Sequence, residues 1–230
     1  MFIRLSFASS LLLLGCVACA PRPGASPAPV SSTAPVDGQI PPTETSRPAQ
    51  ASGASAPDFL ARMVAHRPGE KAAPAVSQEF GRLLGKWACK SAQRQPDGTF
   101  TEGPKESTWT WFYTLDGTAI QDVWEGAAGG IGTNLRVYDK DQAKWFIVWA
   151  TTSQRDISQF TAVGAGADIV MTGEQPARAP FPAHQARITF HDISAENFSW
   201  KYEATAPGGG TTWQEVSRIS CRRLDRPAGS

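Results

Sequence analysis

Thr108-Trp109-Thr110-Trp111-Phe112-Tyr113 places Trp109, Trp111 and Tyr113 on one side of an extended chain, and this period of two decides the fold class. Phe198-Ser199-Trp200-Lys201-Tyr202-Glu203 repeats it, with aromatic rings on one face and polar groups on the other. Arg187-Ile188-Thr189-Phe190 and Trp213-Gln214-Glu215-Val216 follow the same rule less regularly. Trp145-Phe146-Ile147-Val148-Trp149 is apolar on both faces, which predicts cover on both sides or a partner outside.

Turn residues punctuate these runs at Pro96-Asp97-Gly98, Asp116-Gly117, Gly126 to Gly132, Asp139 to Asp141, Gly164 to Gly166, Ser194-Ala195 and Pro207 to Gly210. Between them lie about ten predicted strands, at 84–94, 105–114, 117–125, 132–139, 143–152, 156–164, 167–174, 184–194, 196–206 and 211–223. Short connections make neighbours antiparallel, and a meander this long with one aromatic face avoids exposed edges by closing on itself. The predicted architecture is all-β, a single up-and-down barrel over 79–225. Of four cysteines, Cys16 and Cys19 lie in the leader, leaving Cys89 in the first strand and Cys221 in the last. A bridge needs Cα atoms within about 7 Å, which first and last strands reach only if the sheet shuts. A Cys89–Cys221 disulfide is therefore expected at the seam, with two unpaired buried thiols as the alternative.

Leu83-Leu84-Gly85-Lys86-Trp87 after a short helix resembles the Gly-x-Trp start of lipocalin-like (calycin) barrels. With Leu115-Asp116-Gly117, Gly132, Tyr138-Asp139 and Trp145 to Trp149, it resembles more narrowly the DUF1579-type lipocalin-like bacterial proteins, over about Glu79 to Arg223. That resemblance implies a barrel with an internal cavity and no assigned reaction. The chain departs from secreted lipocalins in its greater strand number and in lacking a second lipocalin motif.

Outward from the barrel the composition changes. Nine of the 18 prolines lie between Pro21 and Pro57, a stretch without Phe, Trp or Tyr, whereas all eight Trp lie between Trp87 and Trp213. Residues 1–15 read as a signal peptide, since one charge precedes an apolar run too short to span a bilayer. Leu13-Leu14-Gly15-Cys16 resembles the bacterial lipobox, making Cys16 the expected lipidated residue; Cys19, or simple cleavage after Ala20, are the alternatives. Val17 rather than Asp implies an outer-membrane address where the cell has that membrane. Residues 16–57 read as a disordered tether able to extend on the order of 130 Å. Residues 58–78 are a short helical pre-domain segment; Asp58 caps one candidate helix and Ser77 a second that runs toward Leu84.

The chain carries 22 basic and 21 acidic side chains, so nothing points to nucleic acid. The catalytic inventory is thin: His66, His184 and His191 are the only histidines, and no Gly-x-Ser-x-Gly, His-x-x-x-His or, beyond the leader, Cys-x-x-Cys pattern occurs. Gly126 to Gly132 lead into a strand rather than a helix, which fits a hairpin loop and not a phosphate cradle. Asp139 and Asp141 read as a turn, and no metal site is expected. Trp109, Trp111, Tyr113, Trp124, Trp149, Phe198, Trp200 and Tyr202 either fill the barrel or line a cavity for a greasy ligand. Asp122 shares a face with Ile120 and Trp124, and would need a partner if that face is inward. Phe181, in the long loop 173–183, is a lid candidate, or belongs to an idle connection. Three function classes follow. The first is an exported, lipid-anchored protein binding a small hydrophobic or amphipathic molecule without covalent chemistry and without a cofactor. The second is a structural or interaction protein with a filled barrel. The third is a haem-binding barrel of nitrobindin-like type using His184 or His191.

Overall fold

Alternation of aromatic and polar residues gives strands, and the strands account for nearly the whole of the domain. The computed structural model describes residues 62–153, 157–178, 182–206 and 210–224. The strands are β1 (Gly85–Arg94), β2 (Phe100–Glu102), β3 (Ser107–Thr114), β4 (Ala119–Glu125), β5 (Ile131–Asp139), β6 (Lys144–Thr151), β7 (Ile157–Ala165), β8 (Asp168–Gln175), β9 (His184–His191), β10 (Asn197–Thr205) and β11 (Trp213–Arg223). All neighbours are antiparallel, and β1 also pairs with β11, so ten strands form a closed ring. β2 pairs with β1 alone, along the same edge of β1 as β3 and beyond the end of that pairing. The sequence pattern missed it because three residues are too few to show a period.

The disulfide is present. Cys89 and Cys221 stand directly opposite each other in the β1–β11 ladder, their Cα atoms 4.1 Å apart. The β3–β4 hairpin turns on Leu115 and Asp116, both at positive φ (51° and 55°), which a tight hairpin of this hand demands and a leucine tolerates poorly. Arg62 grips the Asp116 carboxylate with two hydrogen bonds of 2.8 and 2.7 Å and accepts the Asp116 N–H on its own carbonyl, holding the turn from outside.

One end of the barrel is plugged. A five-residue helix, Pro74–Gln78, leads into a 3-10 turn, Phe80–Leu83. Its start differs from the expected Ser77 cap: Pro74, with its fixed φ, occupies the first turn, and Ser77 Oγ donates back to the Pro74 carbonyl. Val76, Phe80 and Leu83 are fully buried by this segment. Phe80 meets Trp145 edge-on at 5.0 Å and Phe190 at 5.6 Å. The Trp87 indole N–H donates to the Leu83 carbonyl (2.7 Å), and that of Trp145 to Glu79 Oε2 (2.8 Å). Of the other candidate helix, 58–61 lie outside the described residues, and Ala65 pairs with Tyr113 as an isolated bridge.

The strand that is apolar on both faces points Trp145 and Ile147 inward and leaves Phe146 and Val148 exposed on the outer wall. No described segment covers them. Beside it β5 is inverted: Asn134 and Arg136 are buried while Val137 faces out.

Candidate functional site

The inward positions of the strands form three layers along the barrel. Against the plug lie Trp87, Trp111, Trp145, Phe190 and Phe198, all essentially without exposure. Above them Asp122 on β4 faces inward with its neighbours on β5, which answers the question its alternation left open. The Asp122 carboxylate accepts from Asn134 Nδ2 at 3.2 and 3.1 Å, from the Asn134 backbone N–H at 3.3 Å, and from Arg136 Nη1 in a close ion pair. The Arg136 guanidinium lies 4.3 Å from the Trp111 ring centre and 4.8 Å from that of Phe80, so two π faces and one carboxylate surround it. Burial pulls its pKa down from the ordinary value and the Asp122 charge opposes that pull. From so high a starting point the group stays cationic.

The third layer is a cavity of about 390 Å³ open at the end away from the plug. Trp109, Trp124, Trp149, Trp200 and Tyr202, five of the residues picked from sequence, stand on its wall with Phe160 and Met171. Trp111, Tyr113, Phe198 and Asp122 do not; they pack in the layers beneath it or against the plug. Sequence alternation assigns a face to a residue but not a height along the barrel. Gly132 is required beside Trp149, since a Cβ there would lie 2.1 Å from the indole. Phe181 lies outside the described residues, as does Cys16. Wider grooves of about 620 and 860 Å³ lie elsewhere, over the outer faces of β1 and β9–β11 and beside the 62–66 segment.

Polar groups gather on one side of the mouth, and sequence reasoning missed most of them. Arg178, from the loop after β8, donates to Ser158 Oγ (3.3 Å) and to the Ile157 carbonyl (3.4 Å). Gln175 is buried at the end of β8, and among the described residues its Nε2 has no partner. His184 Nδ1 pairs with the Pro182 carbonyl at 2.9 Å, which can only accept, so this nitrogen carries the hydrogen and Nε2 accepts the Tyr202 hydroxyl at 2.7 Å. Both ring nitrogens are thus engaged, and iron ligation at His184 would displace Tyr202. His191 stands at the plugged end, bonded to Asp192. Among the described residues no three His, Cys, Asp or Glu side chains converge as metal ligands. Asp139 closes a turn by accepting the N–H groups of Asp141 and Gln142.

Burial pushes the Tyr202 phenol up to about 12, with Arg178 acting in the opposite sense. A phenol held neutral in the folded state stabilises it fully below the unfolded value near 10, and that contribution is lost as pH rises toward 12. Absorbance at 295 nm should therefore show a component near pH 12 that vanishes in Tyr202→Phe. The unfolding free energy of the parent should fall more steeply than that of the variant between pH 10 and 12; parallel curves would refute the assignment.

No family model matches the chain, and no curated protein matches it. Among solved structures it is similar to Rv2717c from M. tuberculosis, at 18% identity over 67% of this chain and 100% of that one, with a TM-score of 0.45. Of the likeness to DUF1579-type proteins, the closed antiparallel ten-stranded barrel is what the fold bears out.

Proposed function

We propose that this barrel binds a small hydrophobic or amphipathic molecule non-covalently, in a protein exported and tethered to the cell envelope through lipidated Cys16. No cofactor and no covalent step enter the reading. The observation that carries it is the aromatic cavity, about 390 Å³ in a barrel whose other end is plugged. Small-ligand sites span roughly 300–1,000 Å³ and combine an apolar lining with a few placed polar groups. Trp109, Trp124, Trp149 and Trp200 supply the lining, and Tyr202, Gln175, Ser158 and Arg178 the polar set.

N-phenyl-1-naphthylamine, neutral and fluorescent in apolar surroundings, is the first probe. The purified full-length protein should bind it saturably at one per chain, with transfer from the cavity tryptophans. Absence of saturable binding would overturn the reading. It would leave the alternative of an interaction protein, favoured by Val137, Phe146 and Val148, which lie 42%, 42% and 38% exposed on adjoining strands of the outer wall.

A further inference from the structure

The outer wall of the barrel is divided in its chemistry. On β9, β10, β11 and β1 the outward positions carry charges within the strands, among them Arg187, Lys201, Glu203, Arg218 and Lys90. From β4 to β7 the outward positions are charged only at strand ends, by Glu125, Asp139 and Lys144. Of the nine large hydrophobic side chains exposed among the described residues, six lie on this half: Ile131, Val137, Phe146, Val148, Ile157 and Val163. A contiguous exposed apolar face marks a surface that another body covers.

Relief and charge on this half are complementary to each other. The β7–β8 ladder runs from Ala165 opposite Asp168 to Thr161 opposite Thr172 and stops, and a shallow groove of about 520 Å³ reaches past that end. Phe146 stands exposed on β6 at the side of the same groove. Glu174 is the one charged residue lining it; it accepts from Gln185 Nε2 at 2.9 Å and enters no ion pair among the described residues. Phe146 brings the opposite sign, with Lys144 Nζ 5.0 Å from its ring centre. A knob beside a groove of opposite charge fits a second copy of itself. A twofold axis seats each Phe146 in the other's groove and brings each Lys144 to the other's Glu174. At the usual strand spacing and rise, β4–β8 present a wall of about 600 Å². Two copies would bury about 1,200 Å², the lower bound for a specific complex. A bilayer fits less well, since Glu125, Asp139, Asp168 and Glu174 at the strand ends outnumber Lys144 and would be repelled by anionic headgroups.

We propose that this wall is the interface of a symmetric homodimer, β4–β8 against β4–β8 of a second copy, with Phe146 as its anchor. The dimer is independent of whether the cavity takes a ligand. The test uses the full-length chain with Cys16→Ser, so that no acyl chain drives association. Sedimentation equilibrium between about 1 and 200 μM, the range of weak association that such an area supports, should show a reversible species of twice the 24.6 kDa chain mass. Phe146→Glu should raise the dimer Kd at least about a hundredfold, because it sets a second carboxylate against Glu174. Lys144→Glu should raise it about tenfold, and Lys144→Glu with Glu174→Lys should return it to within about threefold of the parent. Lys90→Glu, on the charged half, should leave it within about twofold. A monomer throughout the range overturns the dimer, whether the wall then meets lipid or residues outside the described ones; Phe146-dependent pelleting with phosphatidylcholine vesicles would assign it to lipid. A dimer indifferent to Phe146→Glu, or weakened equally by Lys90→Glu, overturns this face as the interface. A charge swap that restores nothing overturns the seating of Phe146 in the groove. If Phe146→Glu does not fold, the charge swap decides alone.

Discussion

Replacing both seam cysteines, Cys89→Ala with Cys221→Ala, should lower the unfolding free energy by about 3–5 kcal/mol. The bridge joins residues 132 apart in sequence, and on the chain-entropy model closing so long a loop in the unfolded state is worth about 5 kcal/mol. With the seven-residue β1–β11 pairing kept in both forms, the cross-link acts on the unfolded chain alone. The alanines also leave two small voids, since both sulfurs are buried. Reduced parent protein separates the contributions: it retains the sulfur packing and loses only the cross-link. Urea unfolding should show a lower midpoint for reduced than for oxidised parent, and a steeper slope because the freed chain expands further. Identical midpoints would mean that the ladder alone holds the seam. The cross-link matters more in this architecture than in an open sheet, since the last strand must find the first across the whole domain.

The seam was legible from sequence because two constraints met on it. Strand count placed Cys89 and Cys221 at the ends of the meander, and a closed ring makes ends into neighbours. Strand boundaries fell within a few residues of those seen, since Gly, Pro and Asp mark turns for steric reasons that tertiary structure seldom overrides. The interior was less legible. Asp122 on a largely apolar strand could face either way, and its partners lie 12 and 14 residues on, in β5. There the usual rule is reversed, with Asn134 and Arg136 inside and Val137 outside. An apolar residue tolerates water far better than a charge tolerates burial, so a pattern reader orients β5 by its valine and leucine and gets it inverted. The pairing register supplies what the pattern lacks, by placing Asp122 directly opposite Asn134. One inversion thus makes both the polar floor of the cavity and the apolar strip outside. Arg178 and Gln175 were hidden for a different reason: one sits in a loop and the other ends a strand, where side-chain direction follows loop closure and not alternation.

The largest single-residue effect is expected at Arg136. Methionine is close to arginine in length and would keep the contacts with Trp111 and Phe80, but Arg136→Met strands the Asp122 carboxylate in a site without exposure. Only the Asn134 donors would remain to it. Removing one partner of a buried pair costs about 3–5 kcal/mol, because the surviving charge has neither water nor a counter-ion. Asp122→Leu leaves the complementary problem, a guanidinium between two aromatic rings, where the π faces return part of the loss. The double variant should therefore be much less damaged than the sum of the two, since an apolar pair of similar volume often replaces a buried ion pair at little cost. Urea midpoints of the four proteins give the coupling directly. A coupling of at least about 2 kcal/mol, with the double variant within roughly 2 kcal/mol of the parent, would mean that the pair is kept for the floor it gives the cavity rather than for stability. Additive losses would show that each side chain is held by its other neighbours, Arg136 by the rings and Asp122 by Asn134, and that the ion pair between them contributes little.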